Sequence, residues 1–161
     1  MIVVKEIGLK AAERFFLSDP KLCELSFHDS ELDAIKLGHS YEPSDPNAKF
    51  FGLFFEGNLG CVVRWERFTE TAVSVHPYLL TVLQKQGVFG SLHGIIKDWF
   101  VRNTFFTKLV VFAPAPCVAV HKAAKTAGMV QEGLLTKTIK WRNELVDLHI
   151  YAFDLTVLRN K

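Results

Sequence analysis

Apolar residues return every three or four positions in several stretches of the chain, a spacing typical of one face of a helix. The clearest stretch follows Gly90 and consists of Leu92, Ile95, Ile96, Trp99 and Phe100. Similar spacing predicts helices over residues 11–17, 21–37 and 117–127. Gly128 then suits the left-handed residue that often follows a helix end. Helices are therefore expected both near the start and in the second half of the chain.

Runs rich in β-branched and aromatic residues occupy much of the remaining sequence. They predict strands over residues 2–7, 50–55, 61–65, 71–75, 108–113, 134–141 and 145–154. Glu56-Gly57-Asn58 and Arg142-Asn143-Glu144 are typical of the turns in β-hairpins. His76-Pro77 ends the run at 71–75, because proline cannot donate to a strand ladder. The order of these elements predicts an α/β fold in which helices cover both faces of a mixed sheet.

Composition favours a single globular unit. The 161 residues predict one domain spanning 1–161, and 49% apolar with 22% charged residues are ordinary globular values. A net charge of +2 is too small for a protein that coats nucleic acid or a membrane surface. Three widely spaced cysteines predict reduced thiols in a cytoplasmic protein. The sequence has no C-x-x-C or H-E-x-x-H motif, so no metal site is expected.

Three segments carry a resemblance to a known family. Residues 118–129 form a predicted helix that runs into Gly128-Met129, and residues 131–151 form the closing hairpin. Val75-His76-Pro77 precedes a glycine-bearing loop and an amphipathic helix. In these segments and in element order, residues 50–154 resemble the GNAT superfamily of acyl-CoA-dependent N-acyltransferases. The resemblance implies an α/β (α+β) fold with a mixed, mostly antiparallel sheet of about six to seven strands.

The loop at residues 84–91 is the segment that the resemblance assigns to acetyl-CoA. Unpaired N–H groups of a helix N-terminus and of a glycine-containing loop bind pyrophosphate well. The resemblance implies cofactor contacts from Gln84, Gln86, Gly87, Val88, Phe89, Gly90 and Ser91. Phe89 stands where the family has a small residue, and Gly90 takes that place if the loop is shifted by one residue.

The resemblance extends this cofactor site to a strand and a helix. A strand that separates from its neighbour leaves backbone groups for the pantetheine arm, and Val73 and Val75 hold those positions. Cys117 and Ala124 stand where family members carry a cofactor-contacting asparagine and a tyrosine acid. Three outcomes stay open: water or a substrate group supplies the proton, another residue reaches in, or no catalysis occurs. Cys117 itself is either a nucleophile at a helix start or a buried structural thiol.

Acyl transfer to an amine needs a base that takes the ammonium proton. The resemblance places a glutamate near the start of the fourth strand, where Glu70 is the first candidate and Glu66 the second. Both are otherwise solvated hairpin charges. His76 is a further candidate base, because an imidazole titrates near pH ~6.5. Its alternative roles are to cap a loop or to belong to the core.

Basic residues of the second half predict a surface rim that is either solvated or turned toward the cofactor's phosphates. They are Lys97, Arg102, Lys108, Lys122, Lys125, Lys137, Lys140 and Arg142. An acceptor pocket is expected within residues 15–48, whose aromatic and histidine candidates are Phe15, Phe16, Phe27, His28 and Tyr41. Each of these side chains is as easily part of the core. The edge strand of the closing hairpin offers a surface for a homodimer.

Two functions follow from these observations. The first is an acetyl-CoA-dependent N-acetyltransferase that acylates a primary amine of a small molecule or protein. The second is a catalytically inactive GNAT-fold binding protein, with a weaker likeness to phage virion or assembly proteins. An open nest of amides at residues 84–91 favours the first, and a Phe89 ring that fills the cleft favours the second.

Overall fold

The computed structural model describes residues 1–27, 46–86 and 88–160, apart from the side chain of residue 89. Its strands are β1 Ile2–Ile7, β2 Lys49–Phe55, β3 Asn58–Arg67, β4 Ala72–Leu79, β5 Lys108–Pro114, β6 Val130–Trp141 and β7 Glu144–Asp154. The helices of the described residues are α1 Leu9–Ser18, α2 Pro20–Ser26, α3 Thr81–Lys85, α4 Phe89–Asn103, α5 Val118–Thr126 and α6 Thr156–Arg159. Every predicted strand is present, and α3 and α6 are helices that the sequence pattern did not predict.

The strands of the described residues form a seven-stranded sheet in the order β1-β2-β3-β4-β5-β7-β6. All neighbouring pairs are antiparallel except β4 and β5, which run parallel at the centre. This confirms the predicted mixed, mostly antiparallel sheet. No helix of the described residues combines the length and the apolar character that crossing a bilayer requires.

The predicted hairpin turns are confirmed by their backbone angles. Glu56 and Gly57 have φ values of 49° and 87°, and Arg142 and Asn143 have φ values of 52° and 66°. Two successive left-handed residues match the right-handed twist of the strands on either side. Gly128, with a φ of 71°, likewise follows α5 as predicted.

A separate hydrophobic core covers each face of the sheet. Phe51 and Val63 pack on the face that α4 and α5 cover. Their chain neighbours Phe50 and Val62 pack on the opposite face, beneath α1 and α2. Successive side chains of a strand point to opposite faces, so these apolar runs are buried on both sides. The expectation of helices on both faces is confirmed.

The helix predicted over residues 21–37 is interrupted after Ser26, and its residues 28–37 lie outside the described part of the chain. Phe27 has extended backbone angles, with φ −93° and ψ 142°. Its buried ring packs edge-on against Phe16 and Tyr78, with ring centroids 5.0 and 5.4 Å away. Tertiary packing of this ring therefore ends the helix where local spacing alone favoured its continuation. Residues 28–45, with the candidates His28 and Tyr41, lie outside the described residues.

The prediction that His76-Pro77 ends the fourth strand is also wrong. Strand β4 continues to Leu79 and pairs with β3 throughout, including Pro77 opposite Val63. Proline is tolerated along a strand edge that has no partner. The pairing of the other edge of β4 with β5 ends at Ser74, three residues before Pro77.

Candidate functional site

Strands β4 and β5 are paired at one end and separate at the other. Their register contains only Ala72 opposite Lys108, Val73 opposite Leu109 and Ser74 opposite Val110. Beyond Ser74, β4 continues to Leu79 with no strand of the described residues paired on this side, and β5 continues to Pro114. The two strands therefore bound a V-shaped cleft. We call its paired end the closed end and the other the open end.

The open edge of β4 presents backbone groups to this cleft. The carbonyl of Thr71 accepts from the Lys108 amide on the β5 side, whereas the Leu80 amide donates to Gly60 on the β3 side. Backbone polar groups alternate between the two edges along a strand, so Val73, Val75 and Pro77 direct theirs toward β5. Val73 lies in the paired part, Val75 is the first residue beyond it, and Pro77 has no N–H to leave unpaired.

A cavity of about 120 Å³ occupies the cleft. On one face of the sheet it is lined by Ile96 of α4 and Ala124 of α5, and on the other by Leu25 and Ser26 at the end of α2. Phe112 of β5 forms part of its wall. The cavity is predominantly apolar and reaches both faces of the sheet, so two molecules can approach each other through it.

The predicted cofactor loop is shorter than expected, because α3 occupies residues 81–85 and α4 already begins at Phe89. Gln84 is fixed to β4, with its side-chain amide donating to the Leu79 carbonyl at 2.6 Å. Gln86 is exposed, and a Cβ added at Gly90 would meet nothing within 4 Å. Gly87 and the Phe89 side chain lie outside the described residues. The expectation that either an open loop or a Phe89 ring in the cleft distinguishes the two functions therefore stays a prediction.

The start of α4 is open to a ligand in its described part. Val88 has helical angles, φ −64° and ψ −19°, and accepts a 2.9 Å hydrogen bond from the Ser91 hydroxyl. The first N–H groups of a helix have no partner within the helix. Together with the open space at Gly90, these groups form a surface suited to an anion.

Asp19 ties the N-terminal helices to the open end of the cleft. Its carboxylate accepts from the Thr81 amide at 2.8 Å, from the Thr81 hydroxyl at 2.9 Å and from the Leu22 amide at 3.1 Å. Burial alone raises the pKa of Asp19, but the hydrogen bonds from Thr81 and Leu22 outweigh burial and lower it. The carboxylate therefore joins the corner before α2 to the first residue of α3.

His76 belongs to a polar cluster on the α2 face of the sheet. Its Nε2 lies 2.8 Å from the Ser74 hydroxyl and 3.8 Å from a Glu66 carboxylate oxygen, and its ring stacks beside Phe112. The interaction with His76 lowers the pKa of Glu66 despite partial burial, and the Arg64 charge lowers it further. Glu66 is therefore an ionised carboxylate beside an imidazole that lines the cavity.

Glu70 lies elsewhere. It is exposed in the turn between β3 and β4, before the closed end, and its carbonyl accepts from Arg67 at 3.4 Å. The structure thus brings His76 and Val75 to the cleft and places Glu66 beside His76, whereas neither Glu66 nor Glu70 lines the cavity in the described part of the chain. Its role as a base stays a prediction.

Cys117 and Ala124 both line the cavity from the α5 side. Burial raises the pKa of the Cys117 thiol to about 11, with the Arg142 charge acting in the opposite direction. A protonated thiol is a poor nucleophile, so the geometry favours a lining role for Cys117. Ala124 is buried and contributes only a methyl group to the cavity wall.

Lys97 and His93 were missed by the sequence reasoning, which placed Lys97 on a basic rim. Both line the cavity from successive turns of α4. The Lys97 ammonium donates to the Ala127 carbonyl and lies 3.6 Å from the centre of the Phe153 ring. Burial lowers the pKa of Lys97, and burial followed by the nearby Lys97 charge lowers that of His93. The available signal was that Lys97 directly follows Ile96 of the apolar stripe.

Comparison with known proteins gives a clear result for structure only. No family model matches the sequence, and no curated protein sequence matches it. Spermidine N-acetyltransferase from Vibrio cholerae, in complex with CoA and spermine, is 12% identical with a TM-score of 0.74, over 96% of each chain. A spermidine N-acetyltransferase chimera that includes the Vibrio cholerae protein is 14% identical with a TM-score of 0.77, over 99% of each chain.

The ribosomal α-N-protein acetyltransferase RimL, in complex with coenzyme A, is a third similar structure. It is 13% identical with a TM-score of 0.71, over 95% of this chain and 93% of the other. Each of these matches spans nearly the whole length of this chain and of the matched chain. The chain therefore has the fold of the GNAT N-acetyltransferases, as the sequence resemblance implied, while the likeness to phage proteins stays a prediction.

Proposed function

We propose that this protein is an acetyl-CoA-dependent N-acetyltransferase that acylates a primary amine. The observation that carries the proposal is the separation of β4 from β5 beyond Ser74, with an apolar cavity between the two strands. Structures of the same fold include N-acetyltransferases in complex with coenzyme A. Those proteins act on amines by name, spermidine in one case and a protein α-amine in the other.

The residues of the cleft fit an acyl-CoA thioester, which supplies the acyl group when bound. The carbonyl of Val75 faces the gap and accepts a hydrogen bond from an amide laid along β4, as an added strand would. The apolar walls formed by Val111, Ala124 and neighbouring side chains exclude water from the reacting centre. At the open end, the N–H groups of the first turn of α4, around Gly90, hold phosphate oxygens.

His76 is the base that the geometry favours. It lies on the α2 face of the sheet, lines the cavity and is held at Nε2 by Ser74 and Glu66. Imidazole is the side chain best suited to accept and release a proton at neutral pH. The amine then approaches from the side of Leu25 and Ser26, and the thioester from the side of α4 and α5. Glu70, on an exposed turn, is the alternative base.

Ligand-induced stabilisation tests the proposal. Acetyl-CoA at about 100 times its dissociation constant should raise the free energy of unfolding by about 2.7 kcal/mol. Ala124→Phe fills the cleft and should abolish this effect. Ala119→Phe, on the exposed side of the same helix, is the matched control and should leave it intact. Melting temperatures without ligand show whether each variant is folded.

The outcome also separates the two functions. A wild-type protein that shows no stabilisation by millimolar acetyl-CoA contradicts the transferase proposal and favours a non-catalytic binding protein. If acetyl-CoA binds, His76→Gln and Glu70→Gln are compared for turnover with a panel of primary amines. We expect the His76 variant to lose on the order of 100-fold in kcat, and the Glu70 variant to lose little.

Self-association is a separate proposal. The edges of the sheet are β1 and β6, and a dodecameric state is known for a spermidine N-acetyltransferase of the same fold. Pairing through β6 would make this protein a homodimer. Sedimentation of the purified chain tests it.

A further inference from the structure

Lys97 is the one lysine or arginine that lines the cleft within the described part of the chain. Helix α5 begins just beyond Pro114, at the open end, and runs back along β5 to Thr126. Ala127, the residue that follows α5, therefore lies toward the closed end. Because the Lys97 ammonium donates to the Ala127 carbonyl, it stands at the closed end, on the α4 and α5 face of the sheet.

The contacts of Lys97 hold it as an ammonium in a fixed position. The Ala127 carbonyl belongs to the C-terminal end of α5, which attracts positive charge. The ammonium also lies 3.6 Å from the centre of the Phe153 ring, within the range of a cation–π interaction. Whereas these two contacts favour the charged ammonium, partial burial disfavours it and lowers the pKa of Lys97. The side chain is therefore oriented, charged and readier to give up a proton than a surface lysine.

The other titratable groups that share the cavity do not compete for this role. They are His76, Tyr78, His93 and Cys117, and no carboxylate lines the described part of the cavity. His93 is on the neutral side near pH 7, because burial and then the Lys97 charge lower its pKa. His76 and Tyr78 lie on the opposite face of the sheet, Tyr78 in the core beneath α1 and α2. Cys117 precedes the first residue of α5, at the open end. A negative charge that develops at the closed end therefore meets Lys97 first.

We propose that Lys97 donates a proton to the leaving sulfur of the acyl donor, a role that rests on the proposed function. A carrier whose phosphates bind at the start of α4 reaches along the cleft with its sulfur toward the closed end. When the amine nitrogen bonds to the acyl carbon, the C–S bond breaks and its electron pair goes to sulfur. Sulfur takes the Lys97 proton. The acceptor ammonium loses two protons: one passes through the base His76 to solvent, and the neutral Lys97 amine regains the other.

This assignment answers the question left by Ala124. The family resemblance implies a tyrosine acid at that position, and alanine has no proton to give. Ala124 and Lys97 line the same cavity from facing helices. Lys97 is thus a residue that reaches in from α4 to the place where α5 provides only a methyl group.

The test uses coenzyme A without an acyl group. A nearby cation lowers the pKa of its thiol, and this can be measured without any turnover. We titrate the thiol of bound coenzyme A by its ultraviolet thiolate absorbance and subtract the same protein bound to desulfo-coenzyme A. At a given pH, the thiolate-to-thiol ratio of coenzyme A bound to wild type should be about tenfold higher than that of coenzyme A in solution, which corresponds to a thiol pKa about one unit lower. Lys97→Met should remove this gain, and Lys97→Arg should retain much of it. Lys125→Met, exposed on α5, is the matched control.

Kinetics supply a second readout. Lys97→Met should lower kcat on the order of 100-fold while the affinity for acetyl-CoA stays unchanged, because a thioester sulfur carries no charge. If Lys97→Met does not fold, as judged by its melting temperature, Lys97→Gln replaces it.

Two results overturn the inference in distinguishable ways. If coenzyme A binds but its thiol titrates identically on wild type and on Lys97→Met, Lys97 is not the proton donor and the proposed function stands. If wild type does not bind coenzyme A, the proposed function and this role fall together.

Discussion

The two ends of the central strand pair are held together by different means. At the closed end, Ala72, Val73 and Ser74 pair with β5 on one side and with β3 on the other. At the open end, β3 is the one strand within residues 1–27, 46–86 and 88–160 that pairs with β4, and side chains hold the surrounding elements. Asp19 binds Thr81, and Gln84 binds the Leu79 carbonyl. Where the cavity opens, side-chain hydrogen bonds therefore take the place of backbone pairing; we call these bonds side-chain ties. Substitutions at each end measure how much each kind of contact contributes to stability.

The largest expected effect lies at the closed end. Leu109→Ala removes a side chain that is 2% exposed from the apolar core beside the paired segment. We expect the free energy of unfolding to fall by about 2–5 kcal/mol, as for other buried leucines, in urea denaturation. Leu25→Ala is the matched control, since Leu25 lines the open end and is 52% exposed. A loss at Leu25 as large as at Leu109 would contradict the distinction between the two ends.

Asp19→Ala tests the stronger side-chain tie. It removes the cap of α2 together with the hydrogen bonds to Thr81, so the free energy of unfolding should fall by about 1–2 kcal/mol. Asp19→Asn, which keeps the shape of the side chain, should lose less. A variant as stable as wild type at pH 7 would show that this tie does not hold the open end.

The same carboxylate predicts a pH dependence. Because its pKa is lower in the folded protein than in the unfolded chain, its ionised form stabilises the fold. That contribution is complete above about pH 4 and is lost as the pH falls through the lowered folded value. Urea midpoints of wild type should therefore drop between pH 5 and pH 3, as general ranges, by more than those of Asp19→Asn. Parallel curves for the two proteins would contradict the prediction.

Gln84→Met has a smaller expected effect. It removes the 2.6 Å hydrogen bond to the Leu79 carbonyl and keeps a similar side-chain volume. We expect a loss of about 0.5–1.5 kcal/mol, measured by urea denaturation. The neighbouring Gln86→Met, on an exposed side chain, should change stability by less than about 0.5 kcal/mol. Equal effects of the two substitutions would show that the Gln84 hydrogen bond does not stabilise the open end.

Local sequence signals predicted those parts of the fold that local chemistry determines. The positive φ angles at Glu56-Gly57 and Arg142-Asn143, the α4 stripe and Gly128 all belong to this class. The end of α2 could not be predicted, because it depends on the Phe27 ring packing between side chains from distant parts of the chain. Strand β4 continues past Pro77 for a similar reason, since only the sheet order shows that its edge is open there.

The candidate site was predictable to a smaller extent. The resemblance placed Val75 at the cleft, and imidazole chemistry made His76 a candidate base; both residues line the cavity. The proximity of Ser74 and Glu66 to His76 depends on the register between β3 and β4, which no single segment contains. Lys97 directly follows Ile96 of the apolar stripe, but this position alone does not distinguish it from a surface lysine. Only the packing of α4 against the end of α5 and against Phe153 turns it into the cavity.

The most direct test of the central proposal is a crystal structure of the protein with coenzyme A. We expect the pantetheine arm between β4 and β5, hydrogen-bonded to the backbone of Val75, with the phosphates at the start of α4. The sulfur should lie within hydrogen-bonding distance of the Lys97 ammonium. Coenzyme A bound outside the cleft, or β4 and β5 paired along their whole length with a side chain filling the space between them, would contradict the proposal.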